Sequence, residues 1–175
     1  MKPRLLFVIP DLAAGGAHSM NLRLARELRA RGWRAQVVVL FERGRIDLLE
    51  KFKEVPVIAL GAQNLLQKVM LPFRLARLAR RVDITIGGME FAATNYGFVA
   101  AKLARRPFVS WTHIAFERHK FTADVLDRFI SQLVYRHCRD IVFPSHGAKV
   151  SLQRVLNGRP RANIWHVIEN FMEPP

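Results

Sequence analysis

Seven short apolar runs that lack polar alternation constrain the fold of this chain more than any other feature. A strand with one face in water alternates apolar and polar residues, whereas a strand covered on both faces is apolar throughout. Helical patterns separate most of the runs, and repeated β-α units form parallel sheets with right-handed crossovers. We therefore predict an α/β, Rossmann-like fold, with a doubly wound, mainly parallel sheet of about seven strands flanked by helices. The runs are Leu5–Ile9, Gln36–Phe41, Val55–Leu60, Ile84–Ile86, Phe108–Trp111, Ile141–Phe143 and Ile164–Ile168.

The clearest helix follows the first run. Met20, Leu24 and Leu28 recur at helical spacing on one face, and Gly32 stands where helices often end on glycine. A later helix is predicted over about Thr122 to His137.

A third helical segment, residues 63–81, contains Pro72, which predicts a break or a kink. After the proline, Arg74, Arg77 and Arg81 form a basic stripe. Two interpretations stay open: an ordinary surface helix packed on the sheet, or a helix that binds a membrane surface or a partner.

Length and charge limit the classes of protein. The 175 residues fit one domain, since domains usually have about 100–200 residues, and half of the residues are apolar, enough for a core. The net charge of +14 favours anionic partners, among them nucleic acid, lipid headgroups and phosphorylated substrates. Charge alone does not choose among them.

The chain has one cysteine, Cys138, and therefore no internal disulfide, which suits a reducing compartment. Its neighbours His137 and Arg139 favour a lowered thiol pKa, whereas a buried cysteine would be inert packing. The first apolar run is too short for a signal peptide and is interrupted at Pro10, and no run approaches the about 20 apolar residues of a membrane span. We expect a cytoplasmic protein.

A glycine-containing turn, Asp11 to Ala17, lies between the first predicted strand and the first helix. Gly15 and Gly16 let the backbone approach a ligand closely, and a helix N-terminus favours an anion. The dinucleotide fingerprint GxGxxG and the P-loop pattern are both absent. Binding of a phosphate or an acceptor at Gly15, Gly16 and Ala17 is predicted, with a tight turn that binds nothing as the alternative.

Four segments agree with one known family in order and spacing. The first is GGAHSMNLRLARELRARGWRAQVVVL, with its Gly-Gly-Ala turn, Leu-Ala-x-x-Leu helix and valine-rich strand. Then come a strand ending at His113, an apolar strand ending at Ser145, and the segment from His166 to Asn170, where Glu169 replaces the family's usual proline. Together they resemble the N-terminal domain of the family 4 retaining glycosyltransferases.

The resemblance implies a GT-B fold, in which two Rossmann-like domains face each other across a cleft. It implies that this chain is the acceptor-side half and that a UDP- or GDP-sugar donor binds mainly to a second domain. Gly15 and Gly16 would lie near the donor phosphates and the acceptor, and His113 would contact the donor sugar near the reacting carbon. Retention of configuration, and a reaction that requires no metal, follow from the resemblance alone.

Further binding candidates follow other predicted strands. Gly88 permits close approach and Glu90 is able to accept hydrogen bonds from sugar hydroxyls, although a helix cap explains the same residues. Arg118, in a run of charged residues, is a candidate for an acceptor phosphate, with a solvated charge run as the alternative. Ser145 is a further candidate. For His113 the alternative is a strand-end histidine bonded to backbone. The histidines and the cysteine lack zinc-ligand spacing, so no metal site is predicted.

We expect residues 1–169 to form the acceptor-side domain and residues 170–175 to begin a linker to a donor-binding domain outside this chain. The predicted function is hexose transfer to a sugar or lipid-linked acceptor in cell-surface polysaccharide, lipopolysaccharide or glycolipid synthesis, with no cofactor in this domain and no activity of this chain alone. Arg74, Arg77 and Arg81 predict peripheral attachment to an anionic membrane at its cytoplasmic face.

Two alternative functions stay open. The first is a stand-alone Rossmann-like nucleotide- or dinucleotide-binding protein, against which the missing GxGxxG argues. The second is a basic nucleic-acid-binding module, which is argued from charge alone; no specific nucleic-acid partner is predicted.

Overall fold

A parallel sheet of seven strands, in the order β3-β2-β1-β4-β5-β6-β7, forms the centre of the molecule. The computed structural model describes residues 2–13, 15–41, 52–117, 125–161 and 163–170, with only the backbone of residues 125–128. The predicted α/β fold and all seven predicted strands are confirmed, with differences only at strand ends. The strands are β1 Arg4–Ile9, β2 Arg34–Val39, β3 Val57–Ala59, β4 Ile84–Gly87, β5 Phe108–Trp111, β6 Asp140–Phe143 and β7 Ile164–Val167.

Five helices flank the sheet in the described part of the chain. The first ends as predicted, because Gly32 follows it with a φ of 82°, a left-handed conformation that glycine adopts without strain. The helices are α1 Gly16–Ala30, α2 Leu65–Ala79, α3 Ala92–Ala104, α4 Val125–His137 and α5 His146–Val155. Among the described residues, no helix is both long enough and apolar enough to cross a membrane.

Helix α2 runs without a break through Pro72, so of the predicted break or kink the break is wrong, and the kink stays a prediction. A proline inside a helix removes one backbone hydrogen bond. Leu71 and Leu75, on either side of it, are fully buried against the sheet and hold the helix in place. A capping box also fixes the start, because Asn64 accepts from the Gln67 backbone N–H at 2.9 Å while the Gln67 side chain accepts from the Asn64 backbone.

Both faces of the sheet are covered, which accounts for the lack of polar alternation. In β1, Leu5, Phe7 and Ile9 pack into the core cluster that includes α1, whereas Leu6 and Val8 pack into the cluster that includes α2 and α3. A third cluster joins the later strands to α4 and α5. With every strand parallel, all seven carboxyl ends lie along the same edge of the sheet.

Candidate functional site

The candidate site lies where the carboxyl ends of β1 and β4 meet. From β1 the chain proceeds outward to β2 and β3, and it then returns to the other side of β1 to form β4. The loops that follow β1 and β4 therefore diverge and leave a crevice, which is where open α/β sheets bind ligands. The turn with Gly15 and Gly16, the turn with Gly88 and the segment ending in His113 all follow strands at this edge.

The turn after β1 presents a helix N-terminus to the crevice. Ala13 donates its backbone N–H to Asp11 Oδ1 at 3.0 Å, and Gly15 is the extended residue before α1. No described side chain caps the start of α1, and its first turn has no acidic residue. Gly16 is exposed, and a Cβ placed on it would meet no described atom within 4 Å. This arrangement favours a negatively charged group of a ligand.

His18, which the sequence analysis did not single out, lies in the first turn of α1 next to this loop. Its Nε2 is 2.9 Å from Asp11 Oδ1, and both side chains are mostly buried. A Cβ on Gly15 would come within 3.2 Å of His18 Nδ1. Histidine and aspartate are separated by the whole turn in sequence, so their pairing depends on how the turn closes over the end of β1.

Asn21 ties α1 to the end of β4. It is fully buried, and its Nδ2 donates to the Gly88 carbonyl at 2.6 Å and to the Ala17 carbonyl at 2.9 Å. A Cβ on Gly88 would lie 2.7 Å from Asn21 Cγ, closer than real Cβ contacts, and 3.1 Å from Nδ2, which is also tight. Gly88 is thus glycine because Asn21 occupies the space of a side chain.

His113 bonds to the same carbonyl. Its Nε2 lies 3.0 Å from the Gly88 oxygen, and because a carbonyl only accepts, Nε2 carries the proton. Nδ1 is then a lone-pair acceptor; it is buried and has no hydrogen-bond partner among the described residues. The Trp111 ring is 4.5 Å from the imidazole, centroid to centroid, and limits how the imidazole can tilt.

The surroundings keep His113 uncharged. Burial lowers the pKa of His113 to about 4; the bond to the Gly88 carbonyl opposes this shift, and nearby His18 adds to it. Near neutral pH the ring is therefore a neutral imidazole with one N–H and one lone pair. Two of the predicted candidates, Gly88 and His113, are in direct contact.

Glu90 holds the backbone that follows β5. Its side chain is buried, and Oε1 accepts from the backbone N–H of His113 and, at 2.9 Å, from that of Ile114. The sequence indicated either a sugar ligand or a helix cap for Glu90, and it gave no sign of this role as an anchor of the His113 segment. Phe91, next along the chain, has a φ of 52°, a conformation that costs a non-glycine residue about 1–3 kcal/mol and that clusters at functional sites.

Other predicted residues lie apart from this contact group. Ser145 is exposed at the end of β6, and its Oγ accepts from the Ala148 N–H at 3.2 Å as the cap of α5. Arg118 lies outside the described residues. Arg74, Arg77 and Arg81 are exposed along α2 and just beyond its end, beside the edge strand β3.

Cys138 is packing rather than a reactive thiol. It is fully buried, and burial raises its pKa to about 12, which contradicts the interpretation that His137 and Arg139 activate it. Within the described ranges, no three His, Cys, Asp or Glu residues are grouped so as to hold a metal ion. A reaction without a metal stays a prediction.

The sequence matches the family described as Glycosyltransferase Family 4 over residues 14–174. A comparison with curated proteins gave no match.

Solved structures share the fold. The HepE protein of Anabaena in complex with UDP-glucose matches with a TM-score of 0.79 and 22% identity, over 98% of this chain and 44% of that one. A glycosyltransferase from Rickettsia africae matches with 0.66 and 16% identity, over 96% and 43%. The lipopolysaccharide outer core galactosyltransferase WaaB matches with 0.63 and 13% identity, over 87% and 42%. The chain spans less than half the length of each of these structures, and at such identities the likeness shows the fold alone.

Proposed function

Because this chain belongs to glycosyltransferase family 4, we propose that it forms the acceptor-side half of a GT-B enzyme that transfers a hexose from a nucleotide sugar. The observation that carries the proposal is the state of His113 at the crevice. The imidazole is neutral, its Nε2–H is bonded to Gly88, and its Nδ1 lone pair has no partner among the described residues.

A sugar hydroxyl is the partner that suits Nδ1, although protein atoms cover this nitrogen here, so donor binding has to expose it. A buried acceptor without a hydrogen bond costs about 1–3 kcal/mol, so a ligand that donates there is favoured. If the ring were protonated, both nitrogens would donate and a hydroxyl proton would be repelled. We assign to His113 a hydrogen bond with the donor sugar next to the reacting carbon, with the rotation of the ring restrained by Gly88 and Trp111.

The donor phosphates belong, in this proposal, at the turn after β1. The uncapped start of α1 and the open space at Gly16 suit an approaching phosphate oxygen. HepE was solved with UDP-glucose, which supports a nucleotide sugar as the donor; the class that we propose is a UDP- or GDP-sugar. Ala17, Glu90, Ser145 and Arg118 are proposed as further contacts to acceptor or phosphate. Retention of configuration and a reaction without a metal ion are part of the same proposal.

This proposal requires a second domain, which would form the other side of the cleft. Residues 1–169 are the acceptor-side domain and residues 170–175 begin the linker, of which residues 171–175 lie outside the described part of the chain. With most of the nucleotide bound by the other domain, these 175 residues alone bind the donor weakly and do not turn it over.

The acceptor, in this proposal, is a saccharide of cell-surface polysaccharide, lipopolysaccharide or glycolipid synthesis, carried on a lipid. The enzyme works in the cytoplasm at the inner face of the membrane, attached through the exposed Arg74, Arg77 and Arg81. The net charge of +14 supports an anionic surface as partner.

The test compares the same substitution at two histidines in the intact protein that contains this chain. His113→Asn removes the neutral imidazole, whereas His166→Asn changes a half-exposed histidine on β7, away from the crevice. We expect kcat/KM for release of nucleotide from UDP- or GDP-sugars to fall about 10²-fold for His113→Asn, as for loss of one preorganised contact, and to stay unchanged for His166→Asn. Thermal unfolding of both variants checks that they fold.

Equal activity of the two variants would refute the role of His113. Sugar transfer by the purified 175 residues would refute the division of the site between two domains. Micromolar binding of NAD or NADP in calorimetry would instead favour the dinucleotide-binding alternative.

A further inference from the structure

The solvent-facing side of α2 is apolar over its first half and basic over its second. The apolar side chains in the first half are exposed as follows: Leu65 78%, Leu66 72%, Val69 58%, Met70 44% and Phe73 54%. Arg74 and Arg77 follow on the exposed side, with Arg80 and Arg81 just beyond the helix. Leu71, Leu75 and Ala79 are buried on the opposite side and hold α2 on the sheet. This helix therefore presents a second apolar surface besides the one it packs with.

The exposed apolar residues form one continuous stripe. Residues at i, i+3 and i+4 are neighbours on a helix, so Leu66, Met70 and Phe73 adjoin one another, as do Leu65 and Val69. Single exposed apolar side chains are ordinary, whereas a contiguous patch marks an interaction surface. We call this set, Leu65, Leu66, Val69, Met70 and Phe73, the apolar stripe.

In the stretch of sequence around the apolar stripe, the charged residues are all basic. No acidic residue occurs between Glu54 and Asp83, and the basic residues in that interval are Lys68, Arg74, Arg77, Arg80 and Arg81. A second copy of this chain would bring arginines against arginines, which disfavours self-association through this face. A partner that complements this face has an anionic surface with an apolar interior beneath it.

A groove next to the apolar stripe fits an anionic headgroup. It has a volume of about 280 Å³ and lies between α2 and the edge strand β3. Arg74, Arg77 and Arg81 line it, together with Ile58, Leu60 and Leu78. Guanidinium groups bind phosphate oxygens with two parallel hydrogen bonds, and the aliphatic floor suits the glycerol part of a lipid.

We propose that this face of α2 docks on an anionic phospholipid bilayer, with the apolar stripe inserted among the lipids and a phosphate headgroup in the arginine groove. This inference rests on the attachment part of the proposed function and adds the inserting residues and the orientation. Helix α2 begins at the carboxyl edge of the sheet, the same edge that holds Gly16, Gly88 and His113. Insertion of its first half brings the crevice close to the membrane, within reach of a lipid-linked acceptor.

The first experiment measures co-sedimentation of the intact protein with vesicles of phosphatidylglycerol and phosphatidylcholine at low and at high NaCl. The variant Leu66→Ser, Val69→Ser, Phe73→Ser removes insertion, so we expect at least a tenfold loss of binding that persists at high salt. Its control carries serine at three exposed apolar positions of other helices, Val99, Leu103 and Val150, and binds like the unmodified protein.

A second variant removes the charges of the groove. Arg74→Gln, Arg77→Gln, Arg81→Gln is expected to lower binding roughly 100-fold at low salt, since each basic residue near an anionic surface contributes about fivefold. Its control has the same net charge and substitutes three exposed arginines elsewhere, Arg139, Arg159 and Arg161, by glutamine. Equal losses in the variant and its control would overturn the groove as a headgroup site.

The third measurement detects insertion directly. A polarity-sensitive fluorophore on Val69→Cys is expected to shift to the blue when vesicles are added, and one on Val150→Cys, in α5, is not; Cys138 is buried and does not compete for label. A shielded fluorophore before vesicles are added would overturn the inference, because another domain would then cover the apolar stripe. Loss of a dimer in the serine variant would overturn it in favour of a second copy.

Nucleotide-sugar hydrolysis without vesicles separates the two proposals. If the apolar variant keeps hydrolysis and loses vesicle binding, the inference stands. If no nucleotide sugar is hydrolysed by any form and vesicle binding follows the pattern above, the transferase proposal fails while the docking surface stands.

Discussion

The two glycine turns at the crevice look alike in sequence and differ in structure. The turn after β4 is filled, because a Cβ on Gly88 would lie 2.7 Å from Asn21 Cγ. The turn after β1 is open, because a Cβ on Gly16 would meet no described atom within 4 Å. Neither glycine has a positive φ, so the backbone conformation does not require glycine at either position. One glycine serves packing, and the other leaves room for a ligand.

The difference assigns the turns separate tasks. The Gly88 carbonyl accepts from both Asn21 and His113 and thereby links α1, β4 and the segment after β5. That link is a rigid support that sets the position of the imidazole. The Gly16 side of the crevice has no such link among the described residues, and it remains accessible. Substitutions at the two glycines should therefore separate stability from ligand binding.

Gly88→Ala is expected to have the largest effect on stability. The added methyl group must displace Asn21, which is fully buried and donates to two carbonyls. Overpacking costs about 1–3 kcal/mol, and buried polar groups that lose their bonds cost about 1–3 kcal/mol each. We expect a loss of about 3 kcal/mol or more in the free energy of unfolding, measured by urea denaturation, and loss of activity with it.

A double substitution tests whether Asn21 is the cause. Asn21→Ala removes the group that the methyl would strike, so Gly88→Ala in that background should cost less than it does alone. Coupling between residues in contact is commonly 0.5–3 kcal/mol, roughly the range expected here. Strict additivity of the two substitutions would contradict the packing explanation of Gly88.

The sequence predicted the sheet well because its signal is local. Apolar runs such as Leu5–Ile9 show burial on both faces directly, and their positions follow without knowledge of distant contacts. The error at Pro72 has a different origin. Helix propensity is also local, whereas α2 continues because Leu71 and Leu75 pack on strands far away in sequence.

The site was predicted less completely because it depends on contacts between residues that are distant in sequence. His113 and Gly88 were singled out by their positions after strands, and the shared carbonyl between them was not visible. Asn21 and Gly88 are separated by 67 positions, and they meet only because β1 and β4 are neighbours. Glu90 as an anchor of the His113 backbone likewise requires knowledge of which loops adjoin.

The free energy of unfolding should also depend on pH, through His113 on the filled side of the crevice. In the folded state the pKa of His113 is about 4, below its ordinary value of 6.5. Above pH 6.5 the ring is neutral in both states, and below it the unfolded chain takes up the proton first. Stability is therefore lost as the pH falls from 6.5 towards 4, by at most about 1.4 kcal/mol for each pH unit in that window.

The comparison of His113→Asn with the unmodified protein isolates this effect. The variant lacks the titrating ring, so its free energy of unfolding should fall less steeply through the same window. Asp83 provides an internal check, because its bonds with Arg4 lower its pKa from 3.8 to about 2, so its contribution is lost only at lower pH. Parallel curves for the two proteins between pH 6.5 and 4 would show that His113 is not desolvated as described.

Gly16→Ala is expected to have the smallest effect on stability and to sharpen the comparison most. Alanine fits the first position of α1 without a clash, and it narrows the conformations of the unfolded chain, which commonly stabilises a protein by about 0.4–1 kcal/mol. If donor phosphate approaches this backbone, the same methyl group should weaken binding of UDP- or GDP-sugar to the intact protein, measured by calorimetry. Unchanged donor affinity in the folded variant would mean that the open turn is space without a ligand, and the phosphate would then have to bind elsewhere along the crevice.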